Sequence, residues 1–398
     1  MGEFDYVIVG GGLAGASAIQ GIRERDHLGS ILLISEETHP PYDRPPLSKK
    51  LWFGKTRVEE IFLHDQRYYD ELEVAMMLGD KVEKLDPQEK TFTTANGKHY
   101  RFGKLLLATG ASPRRIDIPG GDLEGICHFR TLDDYLRMRS DAKVDKSALI
   151  VGGGFIGSEL AAALNLNLEV TMIFPSATLC RRVFPEALGM AVQRHFQERG
   201  IRVINSDSPV SISKNGDGYR TDTVSGRSIE SDLVIIGIGV DPNIGIAREA
   251  GLEVGNGIVV NEYLETSHAD IYAAGDNAFF PYRALGKSMR IEHWDNALVQ
   301  GRWAGSNMAG AHEAFTYQPY FFSDLFEFGY EATGEVDTSL ETFADWQKEN
   351  HTGVIYYLRD ARVRGVMMCN VWDRIDAARE LIRKGEIVTH ESLRGAIR

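Results

Sequence analysis

Two glycine-rich stretches have the spacing that binds a dinucleotide. In the first, glycines at G-x-G-x-x-G spacing follow the apolar run 6–9 and open a helix with small and apolar residues on one face. The first glycine permits a tight turn, the second lets the backbone approach a pyrophosphate, and the third lets helix and strand pack closely. The helix N-terminus then presents N–H groups to the phosphates. The expected phosphate-binding residues are Gly10, Gly12, Leu13, Ala14 and Gly15.

The same pattern recurs in the middle of the chain. It follows the apolar run 148–151, and it precedes a helix expected over 155–164 and a strand expected over 169–174. Because two chance matches with correct flanking elements are rare, the sequence predicts two dinucleotide sites. The second set of phosphate-binding residues is Gly152, Gly154, Phe155, Ile156 and Gly157.

The residue after the second strand of each repeat decides how the ribose is held. The first such strand ends at Glu36, whose carboxylate can bond a ribose hydroxyl. The second ends at Ser176 without an acid, and Arg181 and Arg182 follow. An arginine can bind the 2′-phosphate of NADPH, although a solvated basic pair is the plainer interpretation. The sequence therefore predicts weak discrimination between NADH and NADPH, with Ser176 and Arg182 as coenzyme contacts.

Composition limits the function classes. A chain of 398 residues with 43% hydrophobic content is too long for one core and predicts two or three domains. Its net charge of −13 argues against non-specific nucleic-acid binding. No apolar run is long enough to span a membrane and no signal peptide precedes residue 6, so a cytoplasmic protein is expected. The three cysteines lack the spacing of a metal site or redox disulfide.

Other segments must position these residues. Two buried strands end in small residues, at Ala108-Thr109-Gly110 and at Ala274-Gly275-Asp276. The proline-rich segment 40–49 predicts a rigid loop or a short helix start. Beyond residue 311 the pattern predicts an α+β region with a closing helix over 373–383 and a loop or short insertion over 341–352. Its antiparallel strands are expected over 329–336, 353–358 and 363–371.

The chain resembles the pyridine nucleotide-disulphide oxidoreductase superfamily. The resemblance rests on four segments in chain order: the first glycine stretch, Ala108-Thr109-Gly110, the second glycine stretch and Ala274-Gly275-Asp276. The resemblance implies an α/β fold with two Rossmann-like dinucleotide-binding domains, of which the FAD domain is discontinuous, and a C-terminal α+β domain. The implied boundaries are 1–115 and 245–312 for the FAD-binding domain, 116–244 for the NAD(P)H-binding domain, and 313–398 for the C-terminal interface domain.

The resemblance can be narrowed within the superfamily. Where its disulfide reductases carry a CxxxxC beside the flavin, this chain has Arg44-Pro45-Pro46-Leu47-Ser48-Lys49. That segment is similar to the one in the ferredoxin, rubredoxin and putidaredoxin reductases and in apoptosis-inducing factor. Phe322-Ser323-Asp324-Leu325 and Gly329-Tyr330-Glu331-Ala332 are similar to apoptosis-inducing factor in particular.

The resemblance also implies cofactor contacts. Glu36 would hold the FAD adenosine ribose and Asp276 the ribityl chain. Glu292-His293-Trp294 precedes a helix expected over 296–308, whose N-terminus would face the flavin, although His293 alone is more simply a packed core histidine. The other implied FAD contacts are Arg44, Lys49, Val82, Ala108, Thr109, Gly110, Arg114 and Gly275, and the other implied NAD(P)H contacts are Glu159, Gly239 and Phe322.

Lys49 and Glu159 are the implied catalytic residues. Lys49 would sit near flavin N5 and pair with Glu159 of the second fingerprint helix. Without the resemblance, a solvated lysine and an exposed helix carboxylate are the plainer interpretations. Phe322 stands where these families place a tryptophan over the nicotinamide, so weaker stacking is expected.

The function implied is an FAD-dependent oxidoreductase that takes a hydride from NAD(P)H. Electrons would then pass to an acceptor such as ferredoxin, another iron–sulfur protein, a quinone or a small molecule. The alternative is a redox-sensing interaction protein that holds a stable FADH2–NAD complex, as apoptosis-inducing factor implies. Slow flavin reoxidation and NADH-dependent dimerisation would distinguish the two, and a homodimer is left open. No metal and no nucleic-acid partner is expected.

Overall fold

The computed structural model describes residues 2–397, so residues 1 and 398 of the expected terminal domains lie outside the described residues. The chain divides into two compact units. The first contains residues 2–43, 58–112 and 242–321, and the second contains residues 44–57, 113–241 and 322–397. The domain boundaries expected from the sequence stay a prediction. Among the described residues no helix is long and apolar enough to cross a lipid bilayer.

The first unit is built on a seven-stranded sheet with Gly2–Val9 near its centre. This strand pairs in parallel with Ile31–Ser35 and with His99–Leu107. Residues 6–9 are buried and uniformly apolar, as expected for a parallel strand covered on both faces. The other strands are Val74–Leu78, Val82–Asp86, Thr91–Thr94 and Ile271–Ala273.

Two helices of the first unit, Leu13–Arg23 and Trp294–Met308, pack closely through glycines. A Cβ added at Gly301 would lie 2.2 Å from the backbone oxygen of Ala14, so only glycine permits this approach. The second helix begins at Trp294 rather than at residue 296, because His293 already has the extended backbone of an N-cap. The unit also contains the helices Gln66–Glu71 and Gly245–Glu249, the 3-10 turns Val58–Glu60 and Arg283–Leu285, and the short strands Ile258–Val259, Ala278–Tyr282 and Lys287–Met289.

The second unit contains a five-stranded parallel sheet centred on Ser147–Val151. That strand leads into the second glycine stretch and the helix Phe155–Leu164, whose bounds match the predicted ones. The other sheet strands are Cys127–His128, Glu169–Phe174, Arg202–Asn205 and Leu233–Ile236. The unit adds the helices Leu132–Asp141 and Glu186–Glu198, the 3-10 turn Pro45–Ser48, and an antiparallel sheet of Pro209–Asn215, Gly218–Thr223 and Ser228–Ser231. Two short strands, Ala111–Pro113 and Val240–Pro242, lie at sequence boundaries between the units.

The C-terminal region forms an antiparallel sheet followed by two helices. The predicted loop over 341–352 is wrong, because Glu341–Lys348 is an edge strand that pairs with Thr352–Arg359. An edge strand is covered incompletely and can lack a continuous apolar run, so its sequence resembles that of a loop. The other strands are Tyr320–Leu325, Phe328–Gly334 and Arg362–Cys369, and the helices are Ile375–Lys384 and His390–Leu393.

Candidate functional site

The first glycine stretch forms a turn that depends on each glycine for a different reason. Gly10 has φ +122°, and a Cβ there would lie 2.1 Å from the backbone oxygen of Ala108. A Cβ at Gly15 would lie 2.1 Å from the oxygen of Gly10. At Gly12, in contrast, no described atom beyond the adjoining residues lies within 4 Å of the Cβ position. The side of the turn at Gly12 therefore has room for another molecule.

The helix Leu13–Arg23 starts at this open side. Gly12 is its N-cap, no side chain caps it in the described structure, and its first turn carries no acidic residue. The first N–H groups and the positive end of the helix dipole are therefore available to an anion. These features fit the pyrophosphate of FAD, which Gly12, Leu13 and Ala14 would hold through backbone N–H groups.

Two of the predicted FAD loops lie beside this turn. The N–H of Ala108 donates to the carbonyl of Val9 at 2.8 Å, which places Ala108-Thr109-Gly110 next to the end of the first strand. A Cβ at Gly275 would lie 3.1 Å from the Cβ of Ala14, which places Gly275 and Asp276 beside the first helix. The first unit thus brings together three segments that are distant in sequence.

Two buried amide side chains fix these loops, and sequence reasoning missed both. Asn277 Nδ2 donates to the carbonyl of Leu107 at 3.0 Å and to Thr109 Oγ1 at 2.9 Å. Gln300 Oε1 accepts from the N–H of Gly275 at 2.8 Å. Both amides are fully buried. The adjacency of Asn277 to Asp276 is the only sequence signal that points to either residue.

Glu36 and Val82 lie at the ends of two strands of the same sheet. Glu36 follows the strand Ile31–Ser35, is exposed, and has Lys81 Nζ 3.5 Å from its carboxylate. Val82 is buried and begins the next-but-one strand. An exposed carboxylate at the end of a strand, such as that of Glu36, can accept a hydrogen bond from a ribose hydroxyl.

His293 directly precedes the helix Trp294–Met308. Its two neighbours in sequence, Glu292 and Trp294, each have a polar partner. Glu292 pairs with Arg290, and Trp294 Nε1 donates to Asp43 Oδ1 at 2.7 Å. The His293 ring stacks on Phe321 with centroids 4.3 Å apart. Burial lowers the pKa of His293 to about 4, against a smaller opposing effect of the nearby Asp276. His293 is therefore neutral at neutral pH.

The second glycine stretch repeats the first turn inside the second unit. Gly152 has φ +128°, and a Cβ there would lie 2.2 Å from the oxygen of Gly237. A Cβ at Gly157 would lie 2.4 Å from the oxygen of Gly152, and around the Cβ position of Gly154 no described atom lies within 4 Å. Phe155 and Ile156 form the uncapped first turn of the helix. This turn therefore fits the pyrophosphate of a nicotinamide nucleotide.

Three predicted FAD contacts lie in the second unit, namely Arg44, Lys49 and Arg114, whereas the others lie in the first. The predicted NAD(P)H contact Gly239 also lies in the second unit. Arg44 Nη1 donates to the carbonyl of Arg130 at 2.9 Å. Arg114 Nε lies 2.9 Å from Asp241 Oδ1, and its N–H donates to the carbonyl of Gly239 at 2.9 Å. The structure thus gives both arginines protein partners within this unit.

Ser176 and Arg182 also have protein partners. Ser176 Oγ donates to the carbonyl of Thr178 at 2.9 Å. The exposed Arg182 has its Nε 3.3 Å from Asp337 Oδ2. Although burial acts to raise it, hydrogen bonds from Ser339 and the Arg182 guanidinium keep the pKa of Asp337 below its usual value. Asp337 therefore offsets the charge that would attract a 2′-phosphate.

Lys49 and Glu159 form the expected ion pair, with Lys49 Nζ 3.2 Å from Glu159 Oε1. Their side chains are 16% and 9% exposed, so neither is a solvated surface charge. Lys49 Nζ also lies 5.1 Å from the ring centroid of Phe322, within the range of a cation–π contact. The catalytic role of the pair stays a prediction.

Comparisons with known proteins match nearly the whole chain. Residues 4–301 match the family model of the pyridine nucleotide-disulphide oxidoreductases. Residues 304–352 and 344–384 match the C-terminal family model of apoptosis-inducing factor, mitochondrion-associated.

The names of individual relatives indicate different functions. The chain is 33% identical to apoptosis-inducing factor 1, mitochondrial, of Dictyostelium discoideum, over 96% of this chain and 79% of that protein. It is 35% identical to a rubredoxin-NAD(+) reductase of Pseudomonas putida, over 80% of this chain and 83% of that protein. The crystal structure of a covalent putidaredoxin reductase–putidaredoxin complex matches with a TM-score of 0.91 at 28% identity, over 98% of this chain and 95% of the matched chain.

Proposed function

The chain belongs to the pyridine nucleotide-disulphide oxidoreductase family, and we propose that it passes electrons from NAD(P)H to an iron–sulfur protein of the ferredoxin or rubredoxin type. The reaction class follows from the family and its reductase members: the chain is an FAD-dependent NAD(P)H oxidoreductase, as the sequence predicts. The predicted α/β fold class and the two cofactors are confirmed in the same way.

Lys49 carries the proposal, because it lies in the segment that holds a redox disulfide in other members of the superfamily and is paired there with Glu159. Residues 44–49 contain no cysteine, and Cys127, Cys180 and Cys369 are buried and unpaired. Electrons therefore have no thiol pair to pass through and must leave from the flavin itself. The names of the relatives, a rubredoxin-NAD(+) reductase and a putidaredoxin reductase, support an iron–sulfur acceptor.

When bound, FAD supplies the redox chemistry, since it accepts a hydride and releases electrons singly. We assign the protein's contribution to binding and orientation. Lys49 and Glu159 are the proposed catalytic residues. The proposed FAD contacts are Gly10, Gly12, Leu13, Ala14, Gly15, Glu36, Arg44, Lys49, Val82, Ala108, Thr109, Gly110, Arg114, Gly275, Asp276, Glu292, His293 and Trp294. The proposed NAD(P)H contacts are Gly152, Gly154, Phe155, Ile156, Gly157, Glu159, Ser176, Arg182, Gly239 and Phe322.

The proposal is tested with the purified protein and a pair of acceptors. We expect a yellow protein with one noncovalent FAD per chain, and fast NADH oxidation with ferricyanide. With cytochrome c as the final acceptor, turnover should require an added [2Fe–2S] ferredoxin or rubredoxin. A colourless protein that gains no flavin on reconstitution would reject the whole proposal. Turnover with ferricyanide but with none of the iron–sulfur carriers would reject only the acceptor class.

The match of residues 304–352 and 344–384 to the C-terminal part of apoptosis-inducing factor favours a second candidate. In it, the protein holds reduced flavin together with oxidised coenzyme for a long time and signals by changing its oligomeric state. Reoxidation of the flavin over minutes, with NADH-dependent dimerisation in gel filtration, would support this candidate. Rapid reoxidation by an iron–sulfur protein and an unchanged elution volume would support the reductase.

We also propose a cytoplasmic location. Reducing compartments keep thiols unpaired, in keeping with the three buried free cysteines. The mitochondrial location of one relative, apoptosis-inducing factor 1 of Dictyostelium discoideum, is the competing assignment. Cell fractionation against compartment markers distinguishes the two.

A further inference from the structure

Glu159 is bonded by three donors from two other parts of the second unit. Ser48 Oγ donates to Oε2 at 2.7 Å and Ser323 Oγ donates to Oε1 at 2.5 Å. Lys49 Nζ lies 3.2 Å from the same Oε1. As whole residues, Ser48, Ser323 and Glu159 are only 4%, 3% and 8% exposed. These bonds therefore form away from bulk water, where each is stronger than at the surface.

We infer that Ser48 and Ser323 are positioning residues for the Lys49–Glu159 pair, an inference that rests on the proposed function of that pair. An ion pair to one carboxylate oxygen leaves the carboxylate able to rotate about its last side-chain bond. A hydroxyl on each oxygen fixes the plane of the carboxylate. The direction from which Lys49 can bond Glu159 is then fixed as well.

The neighbours of the two serines strengthen this inference. Ser48 ends the 3-10 turn Pro45–Ser48 and directly precedes Lys49. Ser323 directly follows Phe322, whose ring lies beneath Lys49 Nζ. By bonding both serines, Glu159 sets the position of Lys49 and of Phe322 relative to the helix Phe155–Leu164. The resemblance gives both of those residues a role in the reaction, whereas it says nothing of the serines.

Ser48→Ala and Ser323→Ala, made in the full-length FAD-loaded protein, test the inference against Ser158→Ala as a matched control. Ser158 is buried next to Glu159 on the same helix, but its Oγ lies 3.9 Å from Cys180 Sγ and not on the carboxylate. We expect each test variant to reduce its flavin about 10- to 100-fold more slowly at saturating NADH, the loss typical of a hydrogen bond to a charge. The Kd for NADH should change less than the rate does, because the two hydroxyls do not themselves bind the coenzyme and act on its proposed contacts only through Glu159.

A second background separates positioning from packing. In Glu159→Gln, the two serine changes should add little, because they act through the carboxylate. Ser323→Thr, which keeps the hydroxyl, should recover most of the rate. Rates equal to that of Ser158→Ala, or losses that add fully to that of Glu159→Gln, would overturn the inference. If Ser323→Ala does not fold, Ser48→Ala decides the question alone.

Measurements on the unmodified protein distinguish a failure of the proposed function from a failure of the positioning role. A protein that binds no FAD or is not reduced by NADH would contradict the proposed function. A protein that is reduced quickly, is slowed by Glu159→Gln and is unaffected by either serine change would contradict only the positioning role.

Discussion

The two glycine turns have the same backbone geometry, but the helices that follow them differ at the second residue after the third glycine. Gly10 and Gly152 have φ of +122° and +128°, and a Cβ on either would strike a backbone oxygen at 2.1 or 2.2 Å. At the same place after the third glycine, however, the first helix carries Ser17 and the second carries Glu159, and both are buried. The two repeats therefore share the geometry of the glycine turn but differ in the side chain that the following helix buries.

That difference gives residues 44–57, which group with the second unit, a polar role there. A buried serine needs no charged partner, whereas a buried carboxylate costs several kcal/mol unless it is paired and hydrogen-bonded. Ser48 and Lys49 supply two of the partners of Glu159. The segment 44–57 follows the first glycine repeat in sequence, yet the buried carboxylate in the second repeat depends on it.

The largest expected effect comes from unpairing Glu159. Lys49→Ala leaves a carboxylate that is 9% exposed without its cation, at a cost of up to about 3–5 kcal/mol. We expect slower flavin reduction in stopped-flow measurements and a lower urea midpoint. Lys50→Ala, a change at the exposed neighbouring lysine, is the control and should behave as the unmodified protein. Unchanged reduction and an unchanged flavin spectrum in Lys49→Ala would show that the pair has no part in the reaction.

The second glycine of each turn offers a matched pair of variants. An alanine has room at Gly12 and at Gly154, and both have extended backbone that any residue adopts. Gly12→Ala should therefore fold normally yet lose FAD affinity by about a hundredfold, or ~2.8 kcal/mol, because the methyl group obstructs the pyrophosphate. Gly154→Ala should keep FAD and lose NADH affinity by a similar factor. Equilibrium dialysis for FAD and titration of the holoprotein with NADH measure both; identical losses of both ligands in the two variants would contradict the assignment of one nucleotide to each turn.

The comparison also shows which features a sequence can predict. The turns and the helix Phe155–Leu164 follow from local spacing, and the Lys49–Glu159 pair follows from the family resemblance. The roles of Asn277 and Gln300 do not, because a buried amide that bonds a distant loop has no periodic pattern. The edge strand Glu341–Lys348 is missed for a related reason, since its pairing partner and not its own composition makes it a strand. The partners of Arg182 and Glu159 likewise depend on tertiary contacts.

His293 gives a pH test of the first unit. Because burial lowers its pKa from 6.5 to about 4, the folded state favours the neutral ring. This contribution to stability is complete above pH 6.5 and is lost as the pH falls toward 4. Between pH 7 and pH 5 the loss should be about 2 kcal/mol. Urea unfolding of the holoprotein should show it in the unmodified protein and in the exposed-site control His27→Gln, but not in His293→Gln; an equal loss in all three would show that His293 does not titrate in this range.

The smallest expected effect is on the preference between NADH and NADPH. It concerns the residue after the second strand of each repeat, which is Glu36 in the first repeat and the non-acidic Ser176 in the second. Ser176 already bonds the carbonyl of Thr178, and Asp337 offsets the charge of Arg182. Neither coenzyme is therefore strongly attracted or repelled, and kcat/KM for NADH and NADPH should agree within about a hundredfold, or ~2.8 kcal/mol.

Two opposite substitutions move this preference in predicted directions. Ser176→Glu supplies an acid that bonds the ribose 2′-OH and repels a 2′-phosphate, so it should shift the ratio toward NADH by about tenfold, or ~1.4 kcal/mol. Asp337→Asn removes the counter-charge of Arg182 and should shift the ratio toward NADPH by a smaller factor, because an exposed arginine is screened by solvent. Both ratios are measured with ferricyanide as the acceptor, so that the iron–sulfur partner plays no part. A preference for NADH above a hundredfold in the unmodified protein would mean that another residue supplies the missing acid, and an unchanged ratio in Ser176→Glu would mean that the ribose lies elsewhere.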